Sequence, residues 1–503
     1  MALANFFDKA ALAASQILQG YNKEDFEKRL SAVCIELAFD SKAVNSVEGV
    51  ATLDLATRLL SRLYPTIIFK SLDFKADAYR NQLENLSKSI NPEIELQDLS
   101  PFATIIVGDT VVQRDGHTFY IGSNEWTVHF SINQAVGSGT SQNPFGAGAA
   151  ACFGAANVFR TVFKDQLPHG VADMDFTLSL MNFEKTDLDS ASPLANDQVE
   201  LGEAFLVGLG AIGNGVLWAL SKINTLEGRL HVIDHEKLEL SNLQRYVLAT
   251  QDDLNMDKVT LCEKYDKRKV FEPYKGNWAS FLATRQDWNF PLVVLAVDSA
   301  EDRIAIQSSL PNLIINAWTQ PLDLGVSRHF DFINQACVAC LYPPKQGLQS
   351  KSQLIAGALG LSHLEVMIRE LIFNNTPLNE SWIRQIAEAK QISFDILMPY
   401  IGMSISAFYS KVLCGGLVTT NAMNQQMETP MAFQSALAGI LLASEMVIYA
   451  TNKRKTPIAT MTRINLLRPV TEYMNDPLRK TIDPNCICND RDFQAQYKMK
   501  YFK

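Results

Sequence analysis

The chain has no surplus of positive charge. Its 503 residues carry 45 lysines and arginines against 54 aspartates and glutamates, a formal net charge of −9. No basic cluster interrupts that balance, which excludes a nucleic-acid-binding surface and permits a basic or mixed protein partner. No run approaches the roughly 18 apolar residues needed to span a bilayer, so no membrane association is expected. The N-terminus, Met-Ala-Leu-Ala-Asn-Phe-Phe-Asp-Lys, has none of the basic character of a secretory signal. Repeats of fixed period and low-complexity tracts are also missing. Cysteine is sparse, with eight in all, at 34, 152, 262, 337, 340, 414, 486 and 488. With no secretory signal, the expected setting is a reducing cytoplasm. There, closely spaced cysteines read as metal ligands before disulfides.

Hydrophobic residues make up 47% of the chain, enough for large cores, and the length predicts two to four domains. The most informative stretch begins at Ala204. Ala204–Gly208 is a short apolar run that reads as a buried parallel strand. Gly208-Leu-Gly210-Ala-Ile-Gly213 follows at once, and Val216 to Ile223 then shows helical spacing. In that context Gly208 permits a tight turn, Gly210 lets backbone approach phosphate, and Gly213 lets helix and strand pack closely. The helix N-terminus would receive the phosphate. The next strand, Arg229–Asp234, ends in an acid about twenty residues beyond the loop, where a ribose-binding carboxylate is expected. An NAD-type dehydrogenase fits this much of the pattern equally well.

After Asp234 the chain reads His-Glu-Lys-Leu-Glu-Leu-Ser241-Asn242-Leu243-Gln244-Arg245, then Lys258. Asp298 ends the apolar run Pro291-Leu-Val-Val-Leu-Ala-Val-Asp, and Arg303 follows in Asp-Ser-Ala-Glu-Asp-Arg. This order resembles the ThiF/MoeB/ubiquitin-activating enzyme superfamily. The resemblance implies adenylation: a carboxylate attacks the α-phosphate of ATP and pyrophosphate leaves. Cationic clamps and Mg²⁺ neutralise the charge that moves, and a hydride-transfer enzyme needs no such cationic set. By the same resemblance Asn242, Arg245 and Lys258 contact the triphosphate. Asp298 helps to hold Mg²⁺, and Asp234 takes the ribose hydroxyls.

Cys337-Val-Ala-Cys340 has the spacing of a zinc knuckle, and Cys486-Ile-Cys488 would complete a four-thiolate structural Zn²⁺ site. The superfamily often carries two Cys-x-x-Cys pairs in these places, so the Cys-x-Cys pair departs from its pattern. Cys414 lies in Tyr409-Ser-Lys-Val-Leu-Cys414-Gly-Gly, between the first pair and an apolar helix starting at Pro430. In ubiquitin-activating enzymes the thioester-forming cysteine sits in a segment inserted between similar landmarks. Residues 345–428 therefore read as a small, mostly helical cysteine domain with Cys414 as its only cysteine. The other reading is a small core residue before a helix C-cap. A helix ending at Cys414 would disfavour its thiolate, and one beginning there would favour it.

The first two hundred residues have their own α/β pattern. Strands are expected at Ala32–Asp40, Thr66–Lys70, Ala103–Gly108 and within His117–Ser131, with helices at Glu48–Leu63 and Pro144–Val162. This resembles a decayed adenylation fold. The loop from Asp40 has no Gly-x-Gly-x-x-Gly and no Asn-x-x-Arg follows, so no ATP is expected there. An unrelated α/β recognition domain is the other reading. A basic residue of this half, such as Arg29, is a candidate to reach the active ATP.

The expected architecture is α/β: two Rossmann-like ThiF-type adenylation halves, the N-terminal one degenerate and the C-terminal one active, with the cysteine domain inserted. The expected divisions are 1–183, a polar linker at 184–200, 201–344, 345–428 and 429–503. The resemblance extends to activating enzymes of bacterial ubiquitin-like, Bil-type antiphage conjugation operons. It implies a ubiquitin-like protein and a conjugating enzyme as partners, with the chain a pseudo-dimeric monomer or a homodimer. A ThiF/MoeB-like adenylyltransferase without a transferable thioester, a nucleotide-binding scaffold and an NAD oxidoreductase stand as alternatives.

Overall fold

The computed structural model describes residues 3–96, 100–112, 114–185, 194, 198–343, 351–374, 376–409, 429–472 and 474–502. Cys414 lies outside them, as does most of the expected linker. The chain divides into two compact units, Met1–Tyr342 with Thr429–Lys503, and Pro343–Glu428.

The larger unit holds two mixed sheets. The first is built from β1 (Ile35–Phe39), β2 (Ile67–Ser71), β3 (Ala103–Val107), β4 (His117–Asn124), β5 (Thr127–Ser131) and β6 (Phe176–Ser179). Its order is β2-β1-β3-β4-β5-β6. The first four strands are parallel, and β5 and β6 turn antiparallel. Every residue of β1 and β3 is buried, as an apolar run covered on both faces requires. Two long helices lie on this sheet, α1 (Val47–Leu60) and α2 (Phe145–Val162). All of α2 is buried, which its glycine- and alanine-rich sequence allows because small side chains let neighbours approach closely.

The second sheet contains β7 (Val199–Val207), β8 (Leu226–Asp234), β9 (Phe271–Lys275), β10 (Leu292–Leu295), β11 (Leu313–Thr319), β12 (Leu324–His329), β13 (Met461–Ile464) and β14 (Asn475–Asp476). Its order, β9-β8-β7-β10-β11-β12-β13-β14, repeats that of the first sheet with one added strand at each edge. Strand directions match as well: parallel through β11, antiparallel from β12 on. Helix α3 (Ala211–Ser221) follows β7, and α4 (Ala300–Gln307) follows β10.

The smaller unit interrupts this half after the first cysteine pair. Its described part is helical, with α5 (Lys351–Leu359), α6 (Glu365–Phe373) and α7 (Glu380–Lys390) around a core of Ile355, Leu359, Ile368, Ile383, Ile386 and Phe408. The chain then returns through α8 (Ala432–Thr451) and ends in α9 (Arg491–Tyr501). Helix α8 is long and apolar enough to cross a membrane, yet 94% of its apolar window is buried inside the fold.

The position of α8 between β12 and β13 matches that of α2 between β5 and β6, and the two helices pack together. The ring of Phe159 on α2 lies 5.7 Å from that of Phe433 on α8. A Cβ built on Gly439 of α8 would sit 2.7 Å from the Gly215 Cα on α3, so glycine at this crossing permits a close helix approach. One apolar core runs through both halves, from Ala4 to Met474. The two halves therefore share one apolar core within one compact unit.

Candidate active site

The strand–turn–helix forms as its sequence requires. Gly208 takes a φ of +96°, and a Cβ there would meet the Ala296 carbonyl oxygen at 2.7 Å. A Cβ on Gly213 would meet the Gly208 carbonyl oxygen at 2.4 Å, which is the close helix–strand contact expected of it. At Gly210 a Cβ meets only the Tyr246 hydroxyl, 3.5 Å away. Gly210 is also the N-cap of α3, whose first-turn amides begin here and have no partner within the helix. This loop lies where the strand order reverses, between β7 and β10, the position at which open α/β sheets bind ligands.

Asp234 ends β8 beside the loop. Its Oδ2 accepts the Leu209 amide at 2.7 Å and its Oδ1 accepts the Glu236 amide at 2.8 Å. The Asn242 side-chain oxygen accepts the Glu239 amide at 2.9 Å, closing the turn that presents Arg245. Lys258 is buried, 3% exposed, with its Nζ paired to the Glu236 carboxylate and donating to the Tyr246 hydroxyl at 2.9 Å. Burial alone would lower its pKa, but Tyr246, Asp234 and Glu236 outweigh it and hold the ammonium above its ordinary value. Burial lowers the Arg245 pKa, against the pull of Tyr246, Asp298 and Glu236. Asp298 is exposed just beyond β10. Arg303 braces that turn from beneath, donating to the Ser299 carbonyl at 3.2 Å and to Asn316 Oδ1 at 2.9 Å. The fold thus gathers the glycine loop, Asp234, Asn242, Arg245, Lys258 and Asp298 at the carboxyl ends of β7, β8 and β10.

Three residues at this site carry no signal in the sequence pattern. Glu236 is the counter-ion of Lys258. The Tyr246 ring centre lies 5.8 Å from Arg245 and 5.1 Å from Lys258. Asn214 donates to the Leu209 and Gly210 carbonyls at 3.2 and 3.0 Å and accepts from the Leu248 amide at 3.3 Å. The first two adjoin motif residues and Asn214 follows Gly213 directly, so proximity in sequence was the available signal.

The first sheet closes its own switch point. Asp40 follows β1, and its carboxylate accepts the Lys42, Ala43, Asp109 and Thr110 amides and the Thr110 hydroxyl, all at 2.7–3.0 Å. The amides that could have met a phosphate are filled by the protein's own anion. Arg29 is engaged elsewhere, in a two-pronged pair with Asp165 at 2.6 and 2.7 Å.

Cys337, Cys340, Cys486 and Cys488 converge, with all four sulfurs within 4.8 Å of one another. Five of the Sγ–Sγ separations lie between 3.6 and 3.9 Å. A zinc tetrahedron with bonds of about 2.3 Å has edges of about 3.8 Å, so the four thiols fit that ion. The Cys-x-Cys pair serves as well as a Cys-x-x-Cys pair would.

Comparison with known proteins agrees with this geometry. The chain is 44% identical over 508 aligned positions, covering 100% of it and 98% of the relative, to the uncharacterized protein y4jF of Sinorhizobium fredii. It is 26% identical over 153 residues, 29% of this chain and 34% of the relative, to the adenylyltransferase and sulfurtransferase MOCS3 of Anopheles gambiae. A crystal structure of E. coli MccB with MccA aligns at a TM-score of 0.37 and 14% identity, over 58% of this chain and 68% of that one, too loosely to carry an argument. Residues 38–164 match prokaryotic E2 family C. The single cysteine in that span, Cys152, is fully buried in α2, and burial pushes its thiol well up. Residues 186–486, well over half of the sequence, match the ThiF family, and the chain belongs to that family of adenylyltransferases.

Proposed function

We propose that the chain activates a ubiquitin-like protein. One oxygen of that protein's C-terminal carboxylate attacks the α-phosphorus of ATP, the α–β bond breaks, and pyrophosphate leaves. The Cys414 thiolate then attacks the acyl carbon, AMP departs, and a thioester remains for transfer to a conjugating enzyme. The observation that carries the reading is the pair of cations, Arg245 and Lys258, assembled with Asp234 and Asp298 around an open glycine loop. Such a set places fixed positive charge where negative charge develops on the leaving pyrophosphate. Gly208, Gly210 and Gly213 shape the phosphate cradle, Asn242 contributes its NH₂, and Asp234 receives the ribose. Asp298, an exposed oxygen donor, would hold Mg²⁺, which supplies further charge neutralisation.

Support for the finer half of the reading is the separate helical unit inserted after the cysteine knuckle, with Cys414 as its single cysteine. The match of the N-terminal half to a family named for E2 proteins points the same way. The partial likeness to MOCS3 favours the second reading, an enzyme that stops at the adenylate.

A non-reducing gel decides between them. The full chain and Cys414→Ala are incubated with ATP, Mg²⁺ and a ubiquitin-like protein that has a free C-terminal carboxylate. The expected result is a thiol-sensitive adduct that needs ATP and vanishes in the variant. An adduct that persists in Cys414→Ala moves the thioester to another cysteine. Pyrophosphate release without an adduct in either protein selects the second reading.

A further inference from the structure

We infer that the degenerate N-terminal half sets the geometry of the cationic side of the active site through two positioning residues, Arg62 and Tyr246. The inference rests on the adenylation reading of that site.

The segment Tyr246–Ala249 follows Arg245 directly and is buried throughout. Its carbonyls are held from the other half. Arg62, on the turn that ends α1, donates through Nη2 to the carbonyl oxygens of Tyr246 and Ala249 at 2.7 Å and of Val247 at 3.1 Å. Arg58 on α1 adds a bond to Val247 O at 3.0 Å, and Leu248 O is held from within its own half by the Tyr265 hydroxyl at 2.8 Å. Arg62 is 1% exposed, and its hydrogen-bond acceptors are main-chain carbonyls. Burial and the nearby Arg58 push its pKa down to about 9. A buried cation without a carboxylate is costly, and the two terminal nitrogens divide the work: Nη1 donates to the Arg58 carbonyl on α1, while Nη2 shares its hydrogens among the three segment carbonyls, a two-ended tie that lysine's single nitrogen cannot reproduce. That tie fixes the path of four residues.

The path matters because of what Tyr246 carries. Its ring lies 5.8 Å from the Arg245 guanidinium while its hydroxyl edge meets Lys258, so one side chain stands between two like charges. Its hydroxyl accepts from Lys258 Nζ at 2.9 Å and stands over Gly210. Asn214 ties the same segment to the Leu209 and Gly210 carbonyls through Leu248. A continuous chain of contacts therefore runs from α1 through Arg62 and the Tyr246 backbone to the two cations and the loop.

Calorimetric titration of the full chain with Mg·ATP tests this, using wild type, Tyr246→Phe, Arg62→Lys and the double variant, each also followed by thermal melting. Tyr246→Phe keeps the ring and removes only the hydroxyl. It is expected to weaken binding about three- to tenfold with an unchanged melting temperature. Arg62→Lys is expected to weaken binding to a similar degree. The double variant should be no weaker than the weaker single variant, because Arg62 acts through Tyr246. Wild-type affinity in Tyr246→Phe overturns the inference. So do strictly multiplicative losses in the double variant, which would make Arg62 a general prop of the fold. If Arg62→Lys melts early, the Tyr246→Phe arm still decides. A wild type that does not bind Mg·ATP overturns the adenylation reading and this inference with it, whereas binding indifferent to both substitutions overturns the inference alone.

Discussion

A methyl group added at Gly210 meets only the Tyr246 hydroxyl, 3.5 Å away, whereas one added at Gly213 meets the Gly208 carbonyl oxygen at 2.4 Å. Both glycines have negative φ, so contact rather than backbone strain separates them. Gly210→Ala should leave the fold stable and put a methyl where phosphate must approach, with Mg·ATP affinity falling by about tenfold or more. Gly213→Ala should instead force α3 away from β7 at a cost of about 1–3 kcal/mol. Denaturant melts of both variants beside Mg·ATP titrations check the pair; equal stability losses at the two positions would refute the assignment. The same residue-by-residue logic explains why the two halves differ. Asp234 uses its oxygens on two amides and lies beside an open loop, while Asp40 takes four amides and a hydroxyl and leaves its cradle full.

Helix α8 joins the two halves and also carries an ionic centre. Glu445 is buried between Arg328 of β12 at 2.5 Å and Arg454 at 2.7 Å. Burial pushes its carboxyl upward, but the two guanidiniums prevail and hold it at about 2. Its folded-state pKa is below the unfolded value of about 4.3, so its stabilisation is present above that value and is lost as pH falls toward 2. Glu445→Gln should cost about 3–5 kcal/mol at pH 7, because Arg328 then loses its charged partner in the interior. The gap from wild type should shrink as pH falls from about 4.3 toward about 2 in urea denaturation; a gap independent of pH would show that the pair is not ionic.

Elements of this kind were largely legible in the sequence. The alternation of apolar runs and helical spacing places β1, β2, β3, α1, α2, α3 and α8 within a few residues, because local pattern and burial agree there. The glycine loop, Asp234 and the Ser-Asn-Leu-Gln-Arg run were legible because their chemistry is compact in sequence. The Arg62 clamp was not, since its acceptors lie 184–187 residues away and are main-chain atoms that no side-chain pattern marks. Arg29 illustrates the converse: a basic residue in the right half, committed to Asp165 by packing that spacing does not reveal.

At the scale of the whole molecule, the two adenylation-type sheets share one core while the inserted unit has its own. Residues such as Phe159, Trp218 and Ile440 belong to a single apolar cluster, and Ile355, Ile368, Ile383 and Phe408 to another. A body with its own apolar core can be removed without opening the core that remains. Replacing residues 345–428 with a short Gly-Ser linker should therefore leave Mg·ATP affinity within about threefold of wild type, an energy change below about 1 kcal/mol. The same variant should form no thioester adduct, because Cys414 goes with the deleted unit. Titration with Mg·ATP and the non-reducing gel read the two consequences separately. Retained affinity with no adduct places activation in the larger unit and acyl transfer in the smaller. Lost affinity would mean that the nucleotide site needs the insert, and the division of labour proposed for the two units would fall.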